Sequence, residues 1–488
     1  MASSQLIQQL NHLFNPSSIA IVGASNTFGK WGFGVFSQLW SKSEGRRIYP
    51  INKKEAEVFG VRSYSSIDEL PEPVDLAVMA VPTGEIVQVI RACADRGVHT
   101  VVVISAGFAE TGDAGAEIEK AVVAIAASSG MRVLGPNCMG HLNVAGGLST
   151  LLATPPVAKG NIGLIAQSGN LGAQVLEFGL DMGVGFSKFI STGNEADLRT
   201  EDFLEYLAED EETEVITAYI EGLREPRRFL QIAKEVTKRK PIVVVKAGKY
   251  DVGTRAVRSH TGALAGNDEI YRAALRQVGV IIVEEVAELV DVAAALAYQP
   301  LPRGKRVGIL TAGGGFGVVA CDTCQKLGLE VAQLSPATIE KLSNVLPPYW
   351  SGGNPVDMAG TIAPAYSCLQ AMLEDENTDA ILSLTTIGAS VPIIDMAPAV
   401  LPSMRAHVVK TVESREEEEM EKVLHILEQV GKHCKPVIIS MVLSDVRRNS
   451  RIYKFLQQKG LHVYQSPERA ARTLAHLWNY SAYLNQNM

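Results

Sequence analysis

Short runs of apolar, β-branched residues alternate along the chain with longer segments of helical periodicity, and the runs fall into three sets. The first set is 18–22, 47–51, 75–79, 100–104 and 131–134. The second is 162–165, 185–190, 215–219, 242–245 and 280–283. The third is 307–310, 329–332, 380–384, 437–440 and 461–464. Strands buried on both faces read as continuous apolar runs, and a helix must carry the chain back between parallel neighbours. The pattern therefore predicts an α/β protein of three doubly wound domains, 1–150, 151–300 and 301–488. Thr154-Pro155-Pro156 and the Pro300 to Gly304 segment supply the stiff, polar joints between them.

Composition narrows the class. With 488 residues the chain is too long for one core. Hydrophobic residues at 47% and charged residues at 20% exclude wholesale disorder. Lys+Arg of 45 against Asp+Glu of 53 leaves −8, a poor balance for wrapping nucleic acid. The six cysteines are scattered and form no disulfide framework, which points to a reducing cytoplasm. Cys321 and Cys324 make a CxxC with no second pair nearby, read here as a buried helix face. No signal peptide precedes the first run, and no stretch reaches the ~18 apolar residues of a membrane span, so no membrane partner is expected. Glu416 to Glu419 reads as a solvated helix face.

The candidate chemistry sits in the turns after the strands. The first strand runs into Gly23-Ala-Ser25, with Gly29 and Gly32 beyond, where backbone N–H groups can approach a phosphate at a helix N-terminus. Ser25 stands where a dinucleotide fingerprint has its second glycine, and the second strand ends in Asn52-Lys53-Lys54 rather than in a ribose-reading acid. This favours a phosphorylated nucleotide such as coenzyme A over an NAD(P)-dependent oxidoreductase. Val81-Pro82 and Gly135-Pro-Asn137 close two further strands at the same crevice, though each is also ordinary turn chemistry.

In the second set, Gln167-Ser168-Gly169-Asn170 opens a helix and suits an anion. Plain capping and a nucleophilic serine are the competing readings. Gly193 and Asn194 close the next strand and line the same crevice. His260 lies among small residues and glycines behind Arg255 and Arg258, an anion-attracting loop in which an imidazole can either attack a phosphoryl group or serve structure alone. Tyr219-Ile-Glu221-Gly222 puts a carboxylate at a strand end, where it either fixes an imidazole tautomer or caps the turn. Thr311 to Gly317 and Tyr349 to Asp357 are further Gly-rich turns, suited to phosphate, close packing or a subunit contact. No metal ligands are assigned.

Together these motifs resemble the NDP-forming acyl-CoA synthetases, in particular the α subunit of the ADP-forming acetyl-CoA synthetases, and more distantly the succinyl-CoA synthetase α subunit. Ser259-His260-Thr-Gly-Ala-Leu-Ala-Gly266 is similar to the phosphohistidine loop of that family, and the Glu221 strand end to the carboxylate that holds the histidine. The resemblance implies a Rossmann-like CoA-binding domain followed by two flavodoxin-like domains. It implies CoA at Gly23, Ser25, Lys53, Val81, Pro82 and Asn137, with phosphate and acyl group at Ser168, Gly169, Asn170, Gly193 and Asn194. It implies catalysis by His260 and Glu221, interconverting acyl-CoA, phosphate and ADP with a small carboxylic acid, CoA and ATP. Because the chain shows no ATP-grasp region, the resemblance also implies an ATP-grasp β subunit, in an α₂β₂ complex, that mainly holds ATP or ADP and Mg²⁺. A CoA-sensing protein without catalysis is the alternative, and it would not need the His260 loop with Glu221.

Overall fold

The computed structural model describes residues 4–487 except 44, 254–267, 361–362, 385–401 and 442–449. His260 and the rest of its loop thus lie outside the described residues.

Every predicted run is a strand. The first set gives β1 (Ser18–Val22) and β2 (Arg47–Ile51), followed by the short antiparallel pair β3 (Glu57–Val58) and β4 (Val61–Arg62). It continues with β5 (Leu76–Met79), β6 (Thr100–Val103) and β7 (Arg132–Leu134). The sheet order is β2-β1-β5-β6-β7, all parallel. Side chains alternate between its faces, as the twofold period of a strand requires. Ile19, Ile21, Val78, Val102 and Leu134 join one core, and Ala20, Val22, Ala77, Val101 and Val103 join the other. Covering helices on both faces account for the absence of polar alternation in the sequence.

The second sheet begins earlier than the Pro-rich joint. β8 (His141–Asn143) and β9 (Leu148–Ser149) form its edge, antiparallel, before β10 (Lys159–Ala166), β11 (Phe186–Ser191), β12 (Val215–Ile220), β13 (Ile242–Lys246) and β14 (Ile281–Val283). Its order is β14-β13-β12-β10-β11-β8-β9. The third set gives β15 (Arg306–Thr311), β16 (Glu330–Val331), β17 (Val356–Asp357), β18 (Ala380–Leu384), β19 (Val437–Ser440) and β20 (Val463–Tyr464), ordered β16-β15-β18-β19-β20 with β17 beside the end of β15. Counting only the predicted strands, each sheet runs 2-1-3-4-5. The chain order therefore reverses beside the first strand of each set, and that is where open α/β sheets leave a crevice at their carboxyl edge.

The chain divides into two compact units. One is Met1–Asp181 with Gly185–Leu289 and holds the first two sheets; the other is Met182–Val184 with Val290–Met488 and holds the third. Within the first unit the N-terminal helix Ser4–Phe14 buries Leu6, Leu10, Leu13 and Phe14. Phe14 stacks on Tyr206 at 4.5 Å and meets His141 edge-on at 5.5 Å. The His141 imidazole is pushed down to about 4 by burial and contacts Leu13 O and Thr150 Oγ1.

In the second unit the acidic run departs from the solvated face expected of it. Glu417 and Glu418 are exposed, whereas Glu416 and Glu419 are buried on the inner side of helix Pro402–His433. Cys324 is fully buried and Cys321 half-buried, as a helix face predicts.

Candidate functional site

The carboxyl ends of the first and second sheets bound one cleft of about 580 Å³. From the first sheet come Gly23 after β1, Val81 and Pro82 after β5, Ser105 after β6 and Asn137 after β7. From the second come Gln167, Ser168, Gly169 and Asn170 after β10, and Gly193 and Asn194 after β11. Close approach to backbone is tightest at two of the cleft's glycines. A Cβ at Gly32 would stand 1.8 Å from Gly23 O, which lets the helix Trp31–Ser41 begin directly over the β1 turn. Gly193 has φ +59, and a Cβ there would meet Pro136 O at 2.3 Å. The helix Gly169–Met182 starts at the cleft wall, so the unpaired N–H groups of its first turn face the same space as the Ser168 backbone and side chain.

A polar network ties the two sheets together across this cleft. Asn194 Nδ2 donates to Glu110 Oε2 at 2.6 Å and to Glu119 Oε2 at 3.0 Å, while its Oδ1 accepts from Asn137 Nδ2 at 3.2 Å. Burial alone would raise the Glu110 carboxyl. The donors from Asn194 and from the backbone of Gly107 and Phe108 outweigh it and hold the group below its ordinary value. Asn194 therefore lines the cleft with its amide already paired. Cys138 also lines it, but burial pushes its thiol up to about 12 and it points at Val103 O, so it is no nucleophile.

Behind the second sheet's turn lies a group of buried polar residues whose mutual bonding the sequence did not reveal. Gln167 Oε1 accepts from Glu221 N at 2.5 Å and Gly222 N at 3.0 Å, and its Nε2 donates to Gly222 O at 2.6 Å. The side chain thus continues the β10–β12 pairing past the end of the strands and fixes the backbone that presents Glu221. Lys246, at the end of β13, donates from Nζ to Glu221 O at 3.0 Å and Ala247 O at 2.5 Å. Burial holds its ammonium below the usual lysine value. Glu195 is fully buried, with φ +56, and its Oε1 accepts from Thr200 N at 3.0 Å and Thr200 Oγ1 at 2.5 Å. Burial raises its carboxyl to about 7. The signal in the sequence was slight: a Gln between strand and helix, and a Glu two residues past a glycine.

Ser25 and Lys53 fall outside the large cleft. Ser25 is buried, and its hydroxyl donates to Glu55 Oε1 at 3.0 Å and accepts from Thr27 N. Glu55 also takes Asn26 N at 2.9 Å. An acid does therefore follow the second strand, three residues after Asn52, but both its oxygens close the β1 turn, so its carboxylate is occupied. Lys53 and Lys54 line a second, smaller cleft of about 260 Å³, together with Asn52, Gln88 and the same Gly23 and Val81. The Lys53 ammonium pairs with Glu85 at 2.5 Å on an exposed surface. In the second unit, Asn354 of the Gly/Asn/Pro turn bonds Ile309 N, Val307 O and Ala332 O, a packing role for that side chain.

A cleft of this size at the carboxyl edge of one sheet, with a helix N-terminus of the next in its wall, suits a phosphorylated ligand. Three family models match in chain order: a CoA binding domain over residues 17–143, a succinyl-CoA ligase like flavodoxin domain over 159–296, and a Ligase-CoA domain over 307–430. The chain is 39% identical over 464 residues to the α subunit of acetate–CoA ligase (ADP-forming) II of Pyrococcus furiosus, covering 95% of this chain and 96% of that one. It is 40% identical over 356 residues to the acetate–CoA ligase (ADP-forming) of Methanocaldococcus jannaschii, of which it covers 50%. It superimposes with a TM-score of 0.85 on the solved dinucleotide-forming acetyl-coenzyme A synthetase 1 of Ca. Korarchaeum cryptofilum in complex with phosphate and ADP. That pair is 33% identical and covers 98% of this chain and 99% of that one. The chain belongs to the NDP-forming acyl-CoA synthetase family. Among the described residues no helix is long and apolar enough to cross a membrane.

Proposed function

We propose that this chain is the α subunit of an ADP-forming acetate–CoA ligase, interconverting acetyl-CoA, phosphate and ADP with acetate, CoA and ATP. The observation that carries the reading is the meeting, in one cleft, of the β1 and β5 turns with the helix that starts at Gly169. The smaller cleft beside Lys53 and Lys54 takes the phosphorylated nucleotide end of CoA, and the thioester reaches past Gly23, Val81 and Pro82 toward Asn137. Ser25 acts indirectly, holding the β1 turn through Glu55. Phosphate and the acyl group sit against Ser168, Gly169, Asn170 and Gly193, where unpaired N–H groups favour an anion. Asn194 sets the geometry of that wall.

In the first step a phosphate oxygen attacks the thioester carbonyl. The C–S bond breaks, and CoA leaves as its thiol after taking up a proton. A nitrogen of His260 then attacks the phosphorus of the acyl phosphate, and the carboxylic acid departs with the bridging oxygen. Glu221 stabilises the charged ring, and Gln167 and Lys246 hold the Glu221 backbone in place. ADP takes the phosphoryl group from the histidine. We assign the nucleotide and its Mg²⁺ to an ATP-grasp β subunit, in an α₂β₂ complex of the cytoplasm. Three relatives are named as α subunits, and the chain spans 50% to 65% of the relatives whose names carry no subunit label.

The test is turnover by the complex co-purified with its partner. Acetyl-CoA, phosphate and ADP should yield ATP in that complex, whereas the chain alone should bind CoA and make none. Tight NADH binding with no CoA binding, measured by calorimetry, would overturn the reading.

A further inference from the structure

The amino edge of the first sheet, opposite the cleft, gathers three potential metal ligands from three elements. His12 lies in the last turn of helix Ser4–Phe14, Asp75 directly precedes β5, and His99 directly precedes β6. One ligand atom from each lies within 4.8 Å of the other two. His12 Nδ1 stands 3.4 Å from Asp75 Oδ1, and the two imidazoles are stacked with centroids 4.0 Å apart and planes at 25°. Ligand atoms about 2.0–2.1 Å from a tetrahedral Zn²⁺ stand roughly 3.3–3.4 Å from one another, so the His12–Asp75 pair is already at that spacing, and the stacked rings must rotate for both imidazole lone pairs to meet on one ion.

The carboxylate is oriented for this. Asp75 Oδ2 accepts from Ser17 N at 2.8 Å, Ser17 Oγ at 2.6 Å, Ser18 N at 3.2 Å and Ser18 Oγ at 3.4 Å. These bonds occupy Oδ2 and leave Oδ1 beside His12 Nδ1, the kind of outer support that metal-bound carboxylates have. His99 is exposed, so water can complete the coordination.

We propose that His12, Asp75 and His99 form a binding site for a borderline divalent transition-metal ion, of which Zn²⁺ is the probe. Two imidazole nitrogens and one carboxylate oxygen suit Zn²⁺, Ni²⁺ or Cu²⁺ better than Mg²⁺ or Ca²⁺. A bound ion would tie the N-terminal helix to the sheet at an edge remote from the cleft, so the site stands independently of the reaction proposed above. A plain His12–Asp75 ion pair explains one contact of the three and makes the opposite prediction on metal.

The experiment uses the full chain after chelation and dialysis, titrated with ZnCl₂ by calorimetry. The proposal expects a saturable site that is missing from the His12→Ala/His99→Ala double variant, and affinity at least about tenfold weaker in each single variant. Zn²⁺ should raise the melting temperature of the wild type by a few degrees and leave the double variant unmoved. It should also protect His12 and His99 of the wild type from carbethoxylation by diethylpyrocarbonate, read by peptide mass, which needs no variant. Equal Zn²⁺ stoichiometry in wild type and double variant, or full modification of both histidines in saturating Zn²⁺, overturns the proposal.

Discussion

The two crevices that share the cleft have the same 2-1-3-4-5 topology and opposite furnishings. The β1/β5 crevice of the first sheet is walled by Gly23, Ala80, Val81 and Pro82, and its ionisable groups stand at the surface, with Lys53 paired to Glu85. The β10/β12 crevice of the second has its ionisable groups buried. Glu221, Glu195 and Lys246 are each at most 5% exposed, and Gln167 fixes the strand end that carries Glu221. A surface lysine can release and recapture a phosphate with little reorganisation. A buried carboxylate keeps its geometry and acts through a low dielectric, where an electrostatic contact is far stronger. On the proposed function, the same architecture would serve a binding site in one copy and a chemical site in the other.

The comparison breaks first at Glu221. Glu221→Gln should slow phosphorylation of the chain by about 100-fold or more while changing CoA affinity less than twofold, as single-turnover labelling and calorimetry would show. Equal effects on both would mean that the two crevices are not separable.

The next effect is on stability. The Glu195 carboxyl titrates at about 7 in the folded chain, against 4.5 for its ordinary value. Between those values the native state keeps a proton that the unfolded chain has lost, so stability falls as pH rises from 4.5 to 7. It falls by something on the order of 3 kcal/mol. Glu195→Gln should remove that fall in pH-dependent urea melts of the chain. Glu195→Ala should instead lower stability at all pH values by about 2 kcal/mol, because Thr200 N–H and Oγ1 lose their acceptor. His141 acts in the opposite direction: its folded value of about 4 makes stability fall as pH drops below 6.5.

Smaller effects sharpen the first crevice. Lys53→Ala should weaken CoA by about tenfold, and the loss should shrink as salt rises, because the ammonium is exposed. Ser25→Ala should change CoA affinity less than about twofold, since its hydroxyl already serves Glu55. Calorimetry at two salt concentrations reads both.

The strands were legible because parallel strands are apolar on both faces, and no other short element produces such runs at this spacing. β8 and β9 were not, since His141-Leu-Asn143 is too short and too polar to stand out and earns its place only by pairing with β11. The cleft was legible where glycines follow strands, because the turn itself demands them. Glu55 was missed because its carboxylate works on residues about thirty positions earlier. Gln167 was read as part of an anion cradle, and its support of the strand end was not foreseen, because a glutamine that extends a strand pairing looks like any loop glutamine until its partners at Glu221 and Gly222 are in place. The acidic run misled because consecutive like charges read as solvent-facing, while a helix turns Glu416 and Glu419 to the same inner side.

The most direct test of the division between a binding crevice and a chemical one is a label. The chain is incubated with acetyl-CoA and labelled phosphate, without nucleotide, and digested for peptide mapping. The account predicts an acid-labile, base-stable phosphoryl group on the peptide that carries His260. The label should be absent in His260→Ala and much slower to form in Glu221→Gln, with CoA released in proportion. A label that persists in His260→Ala, or CoA release with no phosphoryl group on the protein in the wild type, would contradict it.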